Sequence, residues 1–262
     1  MSQVDAPDPR SGPRETASTA GGNRLLAALA ASDLSLIEPH LRDVQLTSGD
    51  VLFEPGDEVH TTFFPCGQTI ASLLVGARGE AFVEAANIGR EGAIGGIVSA
   101  GFRPAFGRSV VLTSGSALAI DTDRLEDAKR RSHDFRDLFS RYADALLAQV
   151  MQSVACNASH TVEQRCCRWL LSVNDRAGDL AFELTQEALA QKLGVQRTTI
   201  SPVAAELQAS GAIRYSRGRV AVLDRALLLR SACPCYEHVE RHYARLMPEV
   251  DSVAEPAPAP EG

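Results

Sequence analysis

No run of eighteen apolar residues occurs in the 262-residue chain, so no segment reads as a membrane-spanning helix. The first residues, "MSQVDAPDPRSGPRETASTAGGN", hold no apolar core, and a secretory leader is not expected. A cytoplasmic address without a membrane partner follows as the expectation. Motifs that carry chemistry are equally scarce. There is no phosphate-binding loop and no nucleophile–base pair, so an enzyme is not expected and no catalytic residue is assigned. None of the six cysteines (Cys66, Cys156, Cys166, Cys167, Cys233, Cys235) falls in the C-x-x-C spacing of a zinc or redox site. "CC" at 166–167 diverges on a helix, and "CPC" at 233–235 is too tight for a usual zinc pair. No metal site is expected, and the thiols read as reduced and structural, with Cys156 a candidate for redox chemistry between subunits.

The formal net charge is −7, which argues against nucleic acid as a partner. The distribution reverses that argument. Residues 161–247 hold twelve arginines and lysines against nine acids, a net +3, which leaves −10 on the rest of the chain. A basic module on an acidic body is the electrostatic footprint of a DNA-binding domain.

Texture divides the chain into five parts. Residues 1–23 and 248–262 are rich in proline, small residues and charge, and read as disordered tails. Residues 24–130 open with short helices, for one of which Ser32 is a plausible N-cap. They continue from Val44 to about Ile120 as short β-type runs separated by glycine-bearing turns, which predicts a β-roll or barrel. Residues 131–160 lie within forty residues free of glycine and proline. A helix of about 26 residues there would be about 39 Å long at ~1.5 Å per residue, with Asp134 or Ser132 as its N-cap. Phe135, Leu138, Tyr142 and Ala145 form a heptad-like seam beside Leu146, Val150 and Val154, and a helix of that length predicts pairing with a second copy of itself, with a surface helix packed on the barrel as the alternative.

Residues 161–247 read as helix, helix, turn, helix and hairpin. Thr185 caps the second helix, Leu189 and Leu193 anchor it, and Gly194 stops it. In "RTTISPVAAELQASG" the apolar stripe Ile200, Val203, Ala204 and Leu207 leaves a polar N-terminal face of Gln196, Arg197, Thr198, Thr199 and Ser201. That is a helix-turn-helix, whose second helix offers such a face to the DNA major groove. Pro202, inside the same helix, removes a backbone donor and leaves the Thr198 carbonyl without its helical partner. The strands flanking Arg217-Gly218 put Arg217 and Arg219 on a basic hairpin tip, a wing placed to hold phosphates. Thr185 and Gln186, at the N-terminus of the second helix, are placed for phosphate contact as well.

With "GDVLFEPGDEV", "NIGREGAIGG" and "LTQEALAQKLGVQRTTISPVAAELQASGAIRYSRGRV", the chain resembles the Crp/Fnr family of bacterial transcription regulators over residues 24–247. The resemblance implies an α+β protein: a cupin-like, cyclic-nucleotide-binding-like β-roll, a dimerisation helix and a winged helix-turn-helix. It implies a homodimer on palindromic double-stranded DNA, with RNA polymerase as a further partner. Arg197 stands where the family often reads a guanine, while Thr198 and Pro202 replace a frequent glutamate and arginine, so a divergent half-site is expected.

In cyclic-nucleotide-binding relatives a Gly-Glu pair takes the ribose and an Arg-Ser pair the phosphate. The matching positions are Glu91 with Gly92 and Arg108 with Ser109, but Arg90 breaks the Gly-Glu adjacency. A regulator with an unknown or absent effector is therefore expected and no cofactor is assigned. A cyclic-nucleotide-responsive regulator and a ligand-gated, protein-binding subunit are the alternatives. The family's iron–sulfur mechanism needs an N-terminal cysteine cluster, and residues 1–65 contain no cysteine. His60 and His133 are the candidate haem ligands.

Overall fold

The computed structural model describes residues 22–76, 82–95, 104–178 and 181–247. The two expected tails lie outside the described residues except for Gly22 and Asn23. Asn23 is fully buried. Its side chain caps the first helix by accepting from the Leu26 N–H at 3.1 Å, and its amide donates to the Pro65 and Gly92 carbonyls at 2.9 Å each. Asn23 is therefore part of the packed body and not of the tail in which the texture of the chain places it.

Two short helices, α1 (Arg24–Ala27) and α2 (Ala31–Leu34), precede seven strands: β1 (Arg42–Leu46), β2 (Val51–Phe53), β3 (Thr61–Pro65), β4 (Ile70–Gly76), β5 (Phe82–Ile88), β6 (Arg108–Thr113) and β7 (Gly115–Asp121). Ala30, not Ser32, occupies the N-cap position of α2. The strands form two antiparallel sheets, β1-β7-β3 and β2-β6-β4-β5. Alternating side chains of the two sheets meet in small apolar clusters around Phe53, Ala71, Ile88 and Val111. This is the expected β-roll.

Helix α3 (Thr122–Arg131) is capped by Asp121. Ser132 then accepts from the Phe135 N–H at 3.1 Å, so Ser132 and not Asp134 starts the long helix α4 (His133–Ser159). At 27 residues, α4 runs past the roll. Its N-terminal half packs inward: Phe135, Leu138, Phe139, Tyr142 and Ala145 are all buried, most of them with Leu25, Leu26, Phe64 and Leu118. Phe135 and Phe139 stack with ring centroids 4.8 Å apart. The predicted seam residues Phe135, Leu138, Tyr142 and Ala145 are thus core residues of this chain, and Leu146 is half-buried against the roll. The large apolar residues that α4 leaves exposed are Leu147, Met151 and Val154, on the next stripe round the helix.

The C-terminal module comprises α5 (Val162–Ala177), β8 (Phe182–Glu183), α6 (Gln186–Lys192), α7 (Arg197–Ala209), β9 (Ile213–Ser216), β10 (Arg219–Val222), α8 (Arg225–Ser231) and α9 (Cys235–Leu246). Thr161 and Gln164 make a reciprocal capping box at the start of α5. A single core centred on Trp169, Leu170, Leu189, Ile200, Leu207, Ile213 and Val220 unites helices and strands, and α9 returns along α4. Among the described residues no helix is long and apolar enough to cross a membrane.

Candidate nucleic-acid interface

Thr185 accepts from the Ala188 N–H at 3.1 Å, so the cap expected for α6 forms. Gly194 ends the turn with φ +64, and Arg165 closes the C-terminus of α6 by donating to the Leu193 carbonyl. Ile200, Ala204 and Leu207 are buried, with Val203 partly so, which turns the opposite face of α7 outward. Gln196, Arg197, Thr198 and Thr199 are all exposed. The Arg197 guanidinium has no hydrogen-bond or ion-pair partner among the described residues. It is a free five-donor fork at the end of a helix that carries positive partial charge.

Ser201 behaves differently. It donates to Gln186 Oε1 at 2.8 Å and approaches the Arg197 carbonyl at 3.1 Å. Of the residues expected at bases and phosphates, Ser201 and Gln186 are therefore paired to each other as a strut between α6 and α7. Pro202 is exposed and α7 continues through it to Ala209, so the missing donor does not end the helix.

The wing is a two-residue hairpin. Arg217 (φ 51) and Gly218 (φ 75) both occupy the left-handed region, the geometry of a type I′ turn, whose twist matches the flanking strands. Arg217 is the one non-glycine residue with positive φ among the described residues. Arg217 and Arg219 are exposed at the tip, and Arg219 also donates to the Ala181 carbonyl at 2.9 Å. Between wing and roll lies an open cleft of about 780 Å³, whose cationic lining is Arg108, Lys192, Arg217 and Arg219.

The module is docked on the roll through α5 and α6. Glu84 of β5 accepts from Ser72 Oγ (2.6 Å), Trp169 Nε1 (2.6 Å), Asn87 Nδ2 (3.1 Å) and Lys192 Nζ (3.1 Å). Ser172 of α5 donates to Asn87 Oδ1 at 2.9 Å.

The four residues matched to a nucleotide pocket do not converge. Glu91 is bonded to Arg176 Nε at 2.7 Å and to the Gly89 N–H at 3.0 Å, and its carbonyl accepts from Tyr243 at 2.7 Å. A Cβ on Gly92 would collide with the Tyr142 hydroxyl. Arg108, the first residue of β6, is paired with Glu54 at 3.0 Å and sits over the Phe82 ring at the start of β5, and Ser109 beside it is buried. The "GREG" turn is a docking element for α5 and α9. His60 and His133 lie exposed beside Glu58 and Asp134.

The cysteines fall into two groups. Burial pushes the Cys66 thiol up to about 11 and the Cys167 thiol up to about 12, and raises Cys166 as well, which leaves three inert core thiols. The second group is one that spacing in the sequence did not reveal. Cys156, His160, Cys233 and Cys235 bring four metal-ligand atoms within 4.8 Å of one another. Cys156 and Cys233 share a hydrogen bond that lowers Cys156 and raises Cys233.

Comparison with known proteins agrees with this geometry. Residues 164–231 match the Crp-like helix-turn-helix domain. FixK2 from Bradyrhizobium japonicum is 12% identical with a TM-score of 0.62, over 74% of this chain and 98% of that one. The c-di-GMP-responsive global regulator CLP from Xanthomonas campestris is 14% identical with a TM-score of 0.58, over 74% and 100%. The CRP-family transcriptional regulator TTHB099 from Thermus thermophilus is 16% identical with a TM-score of 0.60, over 72% and 96%. No curated protein sequence matches the chain. The chain carries a Crp-like helix-turn-helix domain on the fold of the Crp/Fnr transcription regulators.

Proposed function

We propose that the protein is a sequence-specific DNA-binding transcription regulator that acts as a homodimer on a two-fold palindrome. The observation that carries this reading is the unpartnered Arg197 on the exposed N-terminal face of α7, beside a type I′ wing with Arg217 and Arg219 at its tip. Arg197 would read a guanine through a bidentate contact, with Gln196, Thr198 and Thr199 alongside it. Arg217, Arg219 and the N-terminus of α6 at Thr185 would hold phosphates and set the register. Ser201 and Gln186 would support this surface from behind.

Dimerisation is assigned to the outer stripe of α4, Leu147, Met151 and Val154, at i, i+4 and i+7. Such a pairing would place the two recognition helices for half-sites about 34 Å apart. The β-roll is the sensor domain in this reading, joined to the DNA-binding module through Glu84 and Glu91, and RNA polymerase is the downstream partner. A catalytic role is not assigned.

The test is selection from a random double-stranded pool by the purified protein, without added effector and at a stated salt concentration. Enrichment of a palindrome supports the reading. A pool that stays random contradicts it.

A further inference from the structure

The C-terminal end of α4 meets the corner between α8 and α9 at four side chains of metal-binding type. Cys156 lies on the last turn of α4 and His160 is the residue that caps it, four positions on, with the ligand atoms of both on the same side. Cys233 and Cys235 flank Pro234, whose αR conformation (φ −63, ψ −10) bends the chain so that both sulfurs turn to the same side. An extended C-x-C would present its two side chains in parallel, but without the bend that lets them close on one ion together with a helix face.

We propose that Cys156, His160, Cys233 and Cys235 form a tetrahedral Cys₃His site for a single thiophilic divalent ion of the zinc type. A zinc ion with Zn–S of about 2.3 Å and Zn–N of about 2.0–2.1 Å has S···S edges of about 3.8 Å and S···N edges of about 3.6 Å. The Cys156 and Cys233 sulfurs are 3.5 Å apart, and Cys235 Sγ is 3.5 Å from His160 Nδ1. These two opposite edges are thus close to those of a tetrahedron, and all four ligand atoms lie within 4.8 Å of one another. Binding replaces the three thiol protons, which leave to solvent, and His160 ligates as neutral imidazole.

The surroundings suit the charge. Three thiolates around a dication leave one negative charge in a buried place, since Cys156, Cys233 and Cys235 are each no more than 2% exposed. Arg165 and Arg168 of α5 lie within electrostatic reach of these sulfurs. The Nε atoms of both are buried without a hydrogen-bond partner. Gln152, one turn back on α4, donates to Cys235 Sγ at 3.0 Å, the kind of outer contact that orients a ligand.

Position gives the site a consequence. His160 is the C-cap of α4, and the next residue, Thr161, is the N-cap of α5. An ion here ties the end of the long helix to the α8–α9 corner across the link through which the winged module hangs from the roll. It would fix the direction in which α5, and with it α7, leaves α4. That consequence rests on the DNA-binding reading above; the metal assignment itself does not.

The experiment uses the full-length protein, purified without oxygen, and needs no DNA. Elemental analysis of the wild type is expected to find about one zinc per chain. Cobalt(II) added after chelator treatment is expected to give the visible bands of a tetrahedral thiolate complex and near-ultraviolet sulfur-to-cobalt charge transfer. Cys233→Ser and His160→Ala are expected to lose most of the metal, and Cys66→Ser to keep it. Chelation is expected to lower the unfolding midpoint of the wild type and leave Cys233→Ser unmoved. The assignment is overturned if wild-type protein holds no zinc and takes up cobalt without tetrahedral bands. It is equally overturned by iron with inorganic sulfide at the cysteines, or by a Cys156–Cys233 disulfide in place of the ion.

Discussion

Lys192 of the helix-turn-helix and Glu84 of the β-roll lie 3.1 Å apart across a junction where both side chains are almost wholly buried. The pair is held on every side. Lys192 also donates to Ser72 at 2.7 Å and lies over the Trp169 ring, and Trp169 in turn donates to Glu84. The helix-turn-helix is therefore anchored to the β-roll by a polar network, which couples the position of α6 to strands β4 and β5. Removing the carboxylate would leave Lys192 and the indole N–H buried without their partner. Glu84→Ala is expected to cost about 3–5 kcal/mol, read as a lower denaturant midpoint or as a separate early transition of the C-terminal module. A variant as stable as wild type would show that the junction does not hold the domains together.

Helix α4 carries the surface to which dimerisation is assigned. Its exposed stripe is Leu147, Met151 and Val154, and burying each such side chain contributes about 1.5–3 kcal/mol. Leu147→Asp with Val154→Asp is expected to convert a dimer to a monomer in light scattering without changing the far-ultraviolet circular dichroism. Tyr142→Ala, by contrast, removes a buried core residue and is expected to destabilise the fold itself.

Under the proposed function the wing would supply charge and not sequence information. Replacing Arg217 and Arg219 by alanine is expected to weaken binding to every DNA sequence alike. The slope of log K against log salt should become shallower by about 0.9 for each phosphate that is no longer neutralised. Titrations at several salt concentrations, with one specific and one random duplex, check this. Weakening confined to the specific duplex would move these arginines into the base-reading set.

The helix-turn-helix is legible in the chain because its signals are local. The Thr185 cap, the Gly194 stop, the Ile200–Leu207 stripe and the Arg217-Gly218 turn each need only a few neighbouring residues to be recognised, and each stands where the pattern puts it. What is not legible depends on partners distant in sequence. A heptad-like stripe says that Phe135, Leu138, Tyr142 and Ala145 are buried, but not whether the covering surface is the chain's own roll or a second helix. The roll and α1 cover most of that stripe. Glu91 has the composition of a ribose ligand, yet Arg176, 85 residues away, takes its carboxylate. The Cys₃His cluster escapes for the same reason, because Cys156 and Cys233 are 77 residues apart and no short spacing relates them.

Base reading by Arg197 is the claim on which the function rests, and one measurement tests it most directly. Wild-type protein and Arg197→Ala would each select sites from the same random pool under the same salt. The expected result is a palindrome for wild type, and for the variant the same palindrome with discrimination weakened by about 1–3 kcal/mol at a single symmetric position. An unchanged sequence preference in the variant would contradict it.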